Sequence, residues 1–354
     1  MPNGHVLVLA PTPYFSERGC HIRIYEELKQ IKALGYSAEV VTYALGRSIG
    51  NVLITRIAGL PWYHKTSAGP AWSKFILDWQ LYRQAKRRIR VQRPRLLHTH
   101  LHEGMWVAWL LRHRFKIPVV LDLQSMVVDE LASYGGIWRW IGRLVGWYER
   151  WAVHSADAVL VSSDQAFTKL QQRYPKAHFT LLRDGVPGSV PLKPIQFDLV
   201  YSGGLGAHKG TPLLEDALKI VLRARPSTRM LWITPQQPVP YEQLFDRLSE
   251  CCFGIEPKPP TTTEGSGKLL NYLTAGVTPI YFAQASTAAL ASQAGYAVQE
   301  PTAAALAKTI LLALDHPPTN VDRQRIQENA QQQHSWTHQA SLLQSAYAYA
   351  LGTA

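Results

Sequence analysis

Residues 264–279 have the sequence EGSGKLLNYLTAGVTP, which carries the most specific pattern of the chain. Gly265 and Gly267 precede a segment with helical periodicity, and an apolar stretch that predicts a strand follows it. Glycines permit close backbone approach, and the free amides and positive dipole end of a helix start bind anions. Lys268 falls in the first turn, where a cation is unfavourable unless an anion lies beside it. The pattern indicates a diphosphate site, and the alternative is a capped core helix with a surface lysine.

Strands and helices alternate on both sides of this stretch. Apolar runs predict strands at 5–10, 37–43, 95–100, 118–123, 157–163, 179–184, 197–204, 229–234, 251–256 and 278–283. Helical periodicity occurs at 22–34, 70–92, 105–114, 137–156, 165–174, 211–224, 241–250 and 267–276, followed by a polar helix and a last one at 335–351. This alternation predicts an α/β fold whose parallel sheets are covered by helices on both faces.

The length of 354 residues predicts two domains. A segment rich in proline and glycine, GVPGSVPLKPIQ at 185–196, predicts the linker between them. We therefore expect a first domain at 1–185 and a second at 186–334. A C-terminal helix at 335–354 is expected to pack back toward the first domain.

The basic residues are concentrated in the first half of the chain. Residues 1–185 hold 25 Lys and Arg against 13 Asp and Glu, a net charge of +12, whereas residues 186–354 hold 12 of each. This asymmetry predicts that the first half faces an anionic partner: nucleic acid, a membrane surface or a phosphorylated acceptor.

The segment 137–151, IWRWIGRLVGWYERW, interleaves tryptophan with arginine. The residues concerned are Trp138, Trp140, Trp147, Trp151, Arg139, Arg143 and Arg150. This mixture is typical of a membrane interface and also suits stacking on nucleic acid, and the plain alternative is a partly buried helix with a solvated basic edge. Because the sequence contains no zinc-finger, RNP or helix-turn-helix pattern, we expect an anionic membrane surface or a lipid-linked acceptor rather than nucleic acid.

The three cysteines Cys20, Cys251 and Cys252 form no CxxC pair, which indicates a reducing compartment. The first residues lack the charge and the apolar length of a signal peptide, and no stretch of the sequence approaches 18 apolar residues. We therefore expect a cytoplasmic protein, with a peripheral position on the inner face of the membrane wherever it meets lipid.

A second glycine-rich stretch is VYSGGLGAHKG at 200–210. It predicts a strand, a loop and a helix that begins near Gly210, and Lys209 would reach a phosphate from this loop. The fingerprint is loose, since no acidic residue follows at the end of the next predicted strand. A flexible turn with a solvated lysine is the alternative.

The stretch 98–102, HTHLH, places a histidine at every second position. Alternate residues of a strand share a face, so the three histidines would line up together. One interpretation is the metal site of a hydrolase, which needs a barrel and further ligands, and the later strands offer only Asp122 and Asp184. The alternative is that these histidines only hydrogen-bond the scaffold.

Five segments, and the order in which they occur along the chain, resemble the retaining glycosyltransferases of family 4, which adopt the GT-B fold. They are 202–210, 268–279 (against the family form KLxEYxAAGxP), SERGCHIRIYEELKQIKALGY at 16–36, RWAVHSADAVLVSS at 150–163 and SWTHQASLLQSAY at 335–347. The resemblance spans nearly the whole chain. It implies two doubly wound, Rossmann-like parallel-sheet domains that face each other across a cleft, with a nucleotide-sugar donor bound in that cleft.

The resemblance also implies an activity and its residues. A hexosyltransferase-type enzyme would move a sugar from a nucleotide diphosphate to an acceptor hydroxyl with retention of configuration, and the acceptor would be a sugar, a lipid-linked molecule or a polysaccharide precursor. The implied catalytic residues are His100, Lys209 and Lys268. The implied donor contacts are Gly203, Gly204, Lys209, Glu264, Gly265, Ser266, Gly267, Lys268, Leu269 and Asn271. The implied acceptor-side residues are Gly19, His102 and Glu103.

No Asp-x-Asp pattern occurs in the sequence, and such a pattern is how many other glycosyltransferases hold a metal on the donor diphosphate. We therefore expect no metal and no cofactor. Lysines and helix-end amides would stabilise the leaving diphosphate instead.

Three positions depart from the family pattern. Gly204 stands where the family usually has arginine, and Asn271 stands where a glutamate typically binds the donor ribose. The family's first glutamate falls on Thr263, with Glu264 one place away. Asparagine can hydrogen-bond a hydroxyl but lacks the charge assistance of a carboxylate. A different donor, a slower enzyme and a non-catalytic sugar-nucleotide-binding relative are therefore alternatives, beside the metal-dependent hydrolase.

Overall fold

The structure is a computed structural model that describes residues 3–66, 72–124, 126, 142–188, 190–258, 267–285 and 287–353. The chain divides into two compact units. The first unit comprises Met1–Arg183 with Thr337–Ala354, and the second comprises Asp184–Trp336. The boundaries expected from the sequence are at 185/186 and 334/335.

The first unit is built on a seven-stranded sheet. Its strands are β1 His5–Ala10, β2 Ser37–Thr42, β3 Leu53–Arg56, β4 Leu96–His100, β5 Val119–Leu123, β6 Ala158–Val161 and β7 Phe179–Leu181. They lie in the order β3-β2-β1-β4-β5-β6-β7, and every neighbouring pair is parallel. β1, β4, β5 and β6 are buried along their whole length, because helices cover both faces of a doubly wound sheet.

In the described part of the first unit, five helices alternate with these strands. They are α1 Gly19–Ala33, α2 Ser73–Val91, α3 Leu101–Phe115, α4 Gly142–Ser155 and α5 Asp164–Arg173. In α2 the buried residues Leu77, Leu81, Ala85 and Ile89 recur at every fourth position. This spacing gives the helix one apolar side, which packs into the core of the unit.

The second unit is built on a five-stranded sheet. Its strands are β8 Phe197–Ser202, β9 Met230–Ile233, β10 Cys251–Glu256, β11 Thr278–Phe282 and β12 Tyr296–Val298. They are all parallel, in the order β12-β11-β10-β8-β9. The helices are α6 Thr211–Ala224, α7 Tyr241–Leu248, α8 Gly267–Thr274, α9 Ala288–Ala291, α10 Ala303–Asp315 and α11 Asn320–His334.

The last helix, α12 Trp336–Ala350, belongs almost entirely to the first unit. The ring of Tyr347 lies edge-on to that of Tyr36, with 5.7 Å between their centroids. Tyr349 stacks on His178 at 3.6 Å. These aromatic contacts fix the end of the chain onto the first sheet and its helices.

The predicted fold class is confirmed, since both sheets are parallel and doubly wound. Four elements were not in the prediction: the short elements β3, β12 and α9, and the helix α10. Within the described part of the chain, no helix combines the length and apolar character that a membrane crossing requires.

In each sheet the winding direction reverses between two central strands. In the first sheet β2 and β3 extend to one side of β1, and β4 to β7 extend to the other. In the second sheet β9 lies on one side of β8, and β10 to β12 lie on the other. Ligands of open α/β sheets bind outside the carboxyl ends of the strands at such a reversal. Ligand sites are therefore expected at the ends of β1 and β4, and of β8 and β10.

Candidate functional site

A glycine-rich loop leaves the carboxyl end of β8 and meets the start of α8. Gly203 donates its N–H to the carbonyl of Ile233 at 2.9 Å. A Cβ on Gly203 would lie 3.2 Å from both Cε and Nζ of Lys268. The two glycine-rich stretches singled out in the sequence therefore meet around the side chain of one lysine.

Lys268 lies in the first turn of α8, between a carboxylate and an aromatic ring. Its Nζ is 3.5 Å from Oε1 of Glu256, the last residue of β10, and 4.6 Å from the centroid of the Tyr201 ring. The Glu256 side chain is fully buried, whereas that of Lys268 keeps 14 % exposure. The carboxylate and the ring face hold a cation at the point where the two reversal strands end.

Tyr272 attaches α8 to both of these strands. Its hydroxyl accepts from the N–H of Ser202 at 2.9 Å and donates to the carbonyl of Ile255 at 3.3 Å. Burial raises the pKa of Tyr272 well above its usual value, so the phenol stays protonated. A Cβ on Gly254 would come within 2.5 Å of the ring, so glycine at this position lets α8 approach β10.

Lys209 ends a single 3-10 turn, Ala207–Lys209, between β8 and α6. A Cβ on Gly204 would lie 4.0 Å from Cε of Lys209, so the second lysine borders the same loop. Gly210 follows with φ +75°, and a Cβ there would lie 1.8 Å from the carbonyl oxygen of Pro257. Only glycine permits this approach to the chain beyond β10.

The remaining predicted donor contacts lie in or before α8. Gly267 and Asn271 are half-buried, while the side chain of Leu269 is fully buried in the core of the unit. The positions outside the described residues are Thr263, Glu264, Gly265 and Ser266.

An apolar cavity of about 310 Å³ adjoins the Lys209 loop. Its lining residues are Ala207, Gly210, Pro212, Leu213, Pro257, Phe282 and Pro301. Phe282 is the last residue of β11, and the others come from the segments that follow β8, β10 and β12, so the cavity lies along the carboxyl edge of the second sheet.

In the first unit, Asp122 organises a buried cluster at the ends of β4 and β5. Arg23 of α1 donates to it from Nη2 at 2.7 Å and from Nε at 3.0 Å, and Nδ1 of His100 lies 2.9 Å from Oδ2. Burial alone would raise the pKa of Asp122, but Arg23 and His100 lower it far below its usual range. The carboxylate is therefore ionised, and His100 donates to it through Nδ1. The Nε2 atom of His100 has no hydrogen-bond partner among the described residues.

His98 connects this cluster to the C-terminal helix. Its Nδ1 accepts from the hydroxyl of Tyr347 at 2.6 Å, and its Nε2 lies 3.2 Å from Oε2 of Glu27. Nε of Arg23 contacts Oε1 of Glu27 at 2.9 Å. Burial, and secondarily the neighbouring His100, lower the pKa of His98 against the opposing effect of Glu27, so the ring is neutral.

The ligand atoms of Glu27, His98 and His100 lie within 4.8 Å of one another, an arrangement that could hold a metal ion. The guanidinium of Arg23 already contacts Glu27 and Asp122, and it would repel a divalent cation at this distance. Both ring nitrogens of His98 also face partners. The geometry therefore fits a hydrogen-bonded network around Arg23 better than the metal centre of a hydrolase.

The expectation that three histidines share one strand face is wrong for His102. β4 ends at His100, and α3 begins at Leu101, whose φ of +61° turns the chain out of the strand. His98 and His100 do share a face, with 4.6 Å between their ring centroids. His102 is buried in α3, where burial lowers its pKa to about 4 against the weaker effect of Glu103.

Glu103, also in α3, pairs with Lys74 of α2 at 2.7 Å. Burial acts to raise the pKa of Glu103, but the charge and hydrogen bond of Lys74 lower it overall. The Glu103 side chain keeps 35 % exposure, so this ion pair faces the surface of the first unit.

Gly19 opens α1 just beyond the end of β1, at the winding reversal of the first sheet. It is exposed, and a Cβ built on it would meet no atom of another described part of the chain within 4 Å. The helix start therefore borders open space at an edge where the topology favours ligand binding.

A second apolar cavity, of about 380 Å³, opens beside the carboxyl ends of β2 and β3 in the first unit. Its lining residues are Tyr43, Ala44, Leu45, Ala58, Gly59, Leu60, Pro61, Tyr63, His64 and Leu77. Asp78 follows Leu77 on α2, and its Oδ1 accepts from the hydroxyl of Tyr43 at 2.5 Å. Burial, opposed by this hydrogen bond, raises the pKa of Asp78 to about 7.

Sequence reasoning missed most of the residues that hold these sites in place. They are Arg23, Glu27, Tyr347, Tyr201, Tyr272 and Glu256, and Asp122 entered only as a possible metal ligand. The spacing of Arg23 and Glu27, four residues apart on one helix, is a signal for an ion pair. Tyr347 lies 249 residues from His98, so no local pattern could have paired them.

Comparison with solved structures identifies the fold. The sucrose-phosphate synthase of Thermosynechococcus elongatus is similar with a TM-score of 0.76 and 16 % identity, over 99 % of this chain and 100 % of that one. Anabaena HepE, solved with UDP-glucose, is similar with a TM-score of 0.67 and 12 % identity, over 98 % of this chain and 100 % of that one. A glycosyltransferase from Rickettsia africae is similar with a TM-score of 0.65 and 11 % identity, over 99 % of each chain. These neighbours confirm the GT-B fold.

A separate match concerns the family. Residues 18–185 match the family model of the glycosyl transferase 4-like domain. The predicted resemblance to the family 4 glycosyltransferases is thereby confirmed. Among the curated proteins, no sequence matches the chain.

Proposed function

We propose that this protein transfers a hexose from a nucleotide-diphosphate donor to an acceptor hydroxyl, with retention of configuration and without a metal ion. The observation that carries the proposal is the pair of lysines at one loop. Lys268 contacts Gly203, and Lys209 borders Gly204, at the end of the strand where the second sheet reverses its winding. Two cations beside a glycine-rich loop and a helix start form a site for a diphosphate.

The chemistry places negative charge at this loop. The bond between the anomeric carbon and the donor phosphate oxygen breaks, and the bond between the anomeric carbon and the acceptor oxygen forms. The nucleoside diphosphate leaves with the electron pair, and the acceptor hydroxyl loses its proton. Lys209, Lys268 and the N-terminal amides of α8 stabilise the charge that develops on the leaving group, which is the role a metal plays elsewhere.

The apolar cavity beside the Lys209 loop is positioned for the nucleobase. It adjoins the loop along the carboxyl edge of the same sheet, and its lining is apolar enough to take a flat ring. HepE is solved with UDP-glucose, so a uridine diphosphate sugar is the first donor to test. Asn271, half-buried on α8, would take the ribose hydroxyls.

The first unit would hold the acceptor. Gly19 and the Nε2 atom of His100 lie at its winding reversal, and Glu103 with Lys74 lies between α2 and α3. The apolar cavity next to Asp78 suits an acceptor that carries an apolar group, such as a lipid-linked sugar on the way to a polysaccharide. The excess of basic residues in this half favours a peripheral position on the cytoplasmic face of an anionic membrane.

The test is thermal unfolding against UDP-, GDP- and ADP-sugars, each with and without EDTA. One donor class is expected to raise the melting temperature, and EDTA is expected to leave that rise unchanged. The variants Lys268→Ala and Lys209→Ala should each weaken donor binding by about 10- to 100-fold, since a charge-assisted contact contributes roughly 1.5–3 kcal/mol. Lys308→Ala, at an exposed lysine of α10, is the matched control. Unchanged affinity in both site variants would exclude the phosphate assignment.

A transfer assay with the donor so identified separates the alternatives. Release of nucleoside diphosphate together with a glycosylated product is the expected result, and NMR of the new anomeric centre reports the configuration. Donor binding without transfer to any acceptor would make the chain a non-catalytic relative. Stoichiometric metal after purification, with activity lost on chelation, would favour the cluster of Glu27, His98 and His100 instead.

A further inference from the structure

Large apolar side chains are exposed on two helices of the first unit. Trp72, which immediately precedes α2, is 88 % exposed. On α2 itself, Phe75 is 69 % exposed and Trp79 is 50 % exposed. On α4, Leu144 and Trp147 are 68 % and 67 % exposed. Such a concentration of exposed aromatic rings is costly in water, and it marks an interaction site rather than chance exposure.

These two helices lie on the same face of the first sheet. The crossovers from β3 to β4, β4 to β5 and β5 to β6 all step in one direction along the sheet. Because such crossovers are right-handed, α2, α3 and α4 cover one face, and α3 packs against both of the others. Helices of this fold run antiparallel to the strands, so the aromatic first halves of α2 and α4 lie at the carboxyl edge.

The outward side of α2 changes from aromatic to basic along its length. Positions 72, 75 and 79 are followed at helical spacing by Arg83, Arg87 and Arg90, which are all exposed. The only acidic residue of α2 is Asp78, which is buried on the opposite side. The outward side of α2 is therefore apolar toward the carboxyl edge of the sheet and cationic away from it.

We propose that this face docks on an anionic lipid bilayer. The docking face consists of Trp72, Phe75, Trp79, Leu144 and Trp147, which enter the interfacial region, with Arg83, Arg87 and Arg90 on the lipid headgroups. Tryptophan and arginine both place an apolar body and a polar tip across such an interface, and anionic headgroups complement the arginines. A second copy of the chain fits less well, since it would bring two rows of arginine together.

Docking in this way gives the acceptor a route. The carboxyl edge of the first sheet, with Gly19, His100 and the cavity beside Leu77, would be the edge nearest the lipid. A lipid-linked acceptor could then enter the cavity while its chain remained in the bilayer. The inference rests on the proposed function for this consequence, but the docking itself is measurable without donor or acceptor.

The experiment is co-sedimentation of the full-length protein with vesicles of phosphatidylcholine and phosphatidylglycerol, against vesicles of phosphatidylcholine alone. The protein is expected to bind the anionic vesicles and to be released by salt. Trp72→Ala with Trp79→Ala should lower the partition coefficient at least tenfold. Arg83→Gln with Arg87→Gln should lower it about 25-fold, since each basic residue near an anionic surface contributes about fivefold.

Matched controls lie in the second unit. Ile220→Ala with Leu222→Ala removes two exposed apolar residues of α6, and Arg223→Gln removes an exposed arginine of the same helix. Each should keep binding within about twofold of the wild type. Equal loss in the controls, equal binding to neutral vesicles, or full binding by the tryptophan variant would overturn the proposal.

Two other occupants of the face give different results. Loss of a dimer in the tryptophan variant, measured by sedimentation velocity, would assign the face to self-association. Binding of single-stranded DNA that depends on the same arginines, without vesicle binding, would assign it to nucleic acid. Either result replaces the bilayer and leaves the donor experiments above unaffected, so failure here is distinct from failure of the proposed transfer.

Discussion

At the scale of single residues, Gly19 is unusual because the structure gives it room for a side chain. Among the residues that the structure describes, its Cβ would meet nothing within 4 Å, and alanine is more stable than glycine in a helix by up to about 1 kcal/mol. We expect Gly19→Ala to leave the free energy of unfolding unchanged or slightly raised. If the acceptor approaches this helix start, the KM for acceptor should rise while donor affinity stays constant. Unchanged kinetics for the acceptor would remove Gly19 from the acceptor side.

Gly210 and Gly254 show the opposite case, in which glycine is required by packing. A Cβ would lie 1.8 Å from a backbone oxygen at the first and 2.5 Å from the ring of Tyr272 at the second. The sequence indicated Gly210 through its motif, but Gly254 lies in the middle of a strand, where only the neighbouring helix explains it. Spacing identifies residues that act within one loop, whereas the residues that position a loop come from distant parts of the chain.

At the scale of elements, the buried carboxyl group of Asp78 on α2 makes the free energy of unfolding depend on pH. Burial raises the pKa of Asp78 to about 7 from its usual value near 4, so the folded state holds a proton more tightly than the unfolded state. A raised pKa in an acid contributes stability at low pH that is lost as the pH rises toward 7. The loss is at most roughly 4 kcal/mol, from about 1.4 kcal/mol for each unit of pKa.

The substitution Asp78→Asn tests this pH dependence of stability, because the amide oxygen can still accept from Tyr43 and carries no charge. We expect the variant to match the wild type near pH 4 and to be more stable above pH 7, with the difference growing between the two. Chemical denaturation across that range measures it. Asp216→Asn, at an exposed residue of α6, is the control and should show no such trend. A constant difference at every pH would contradict the raised pKa.

A buried hydrogen bond contributes to the attachment of the helix α12. Tyr347 donates to His98 at 2.6 Å, and burial raises the pKa of Tyr347 well above its usual value, so the donor proton stays in place. Tyr347→Phe leaves Nδ1 of His98 buried without this partner and should cost about 1–3 kcal/mol. Tyr349→Phe keeps its ring stacked on His178 at the surface and should change stability by less than about 0.5 kcal/mol. Equal effects of both substitutions in urea unfolding would contradict the role of this bond.

The elements that the sequence predicted correctly are those with strong periodicity or buried apolar runs. α6 has the predicted bounds, and β1 and β10 do as well. β3 and β12 were missed because an edge strand of three or four residues buries too little to give a pattern. The helix α3 was placed too late, since the turn at Leu101 depends on its backbone and not on a glycine or proline signal. His102 was misplaced for this reason.

At the scale of the whole molecule, the alternation of strands and helices was sufficient to predict two parallel sheets. The strand orders could not be read from that alternation, yet they decide where the sites lie. The reversal between β8 and β10 brings Gly203 and Lys268 together across 65 positions of sequence, and that between β1 and β4 brings Gly19 and His100 to one edge. Family resemblance provided this information, because it encodes an order of elements that local physics does not.

The proposed binding of donor and acceptor by different units leads to a final prediction. The nucleoside diphosphate of the donor should bind the second unit alone, since both lysines and the apolar cavity belong to it. At a hundredfold excess over Kd, binding stabilises a unit by about 2.7 kcal/mol. Hydrogen exchange should therefore slow around 203–211 and 267–276 with the nucleoside diphosphate. An acceptor should instead slow exchange in the first unit, at the junction of β4 and α3, where His100 lies.

The variant Lys268→Ala should lose protection in the second unit, and Lys308→Ala should keep it. Protection of the first unit by the nucleoside diphosphate alone would reverse the assignment of donor and acceptor sides. Unchanged exchange at the junction of β4 and α3 with every acceptor would show that His100 makes no contact with the acceptor. In that case the buried network of Arg23, Asp122 and His100 would serve the stability of the first unit, with catalysis resting on the lysines of the second.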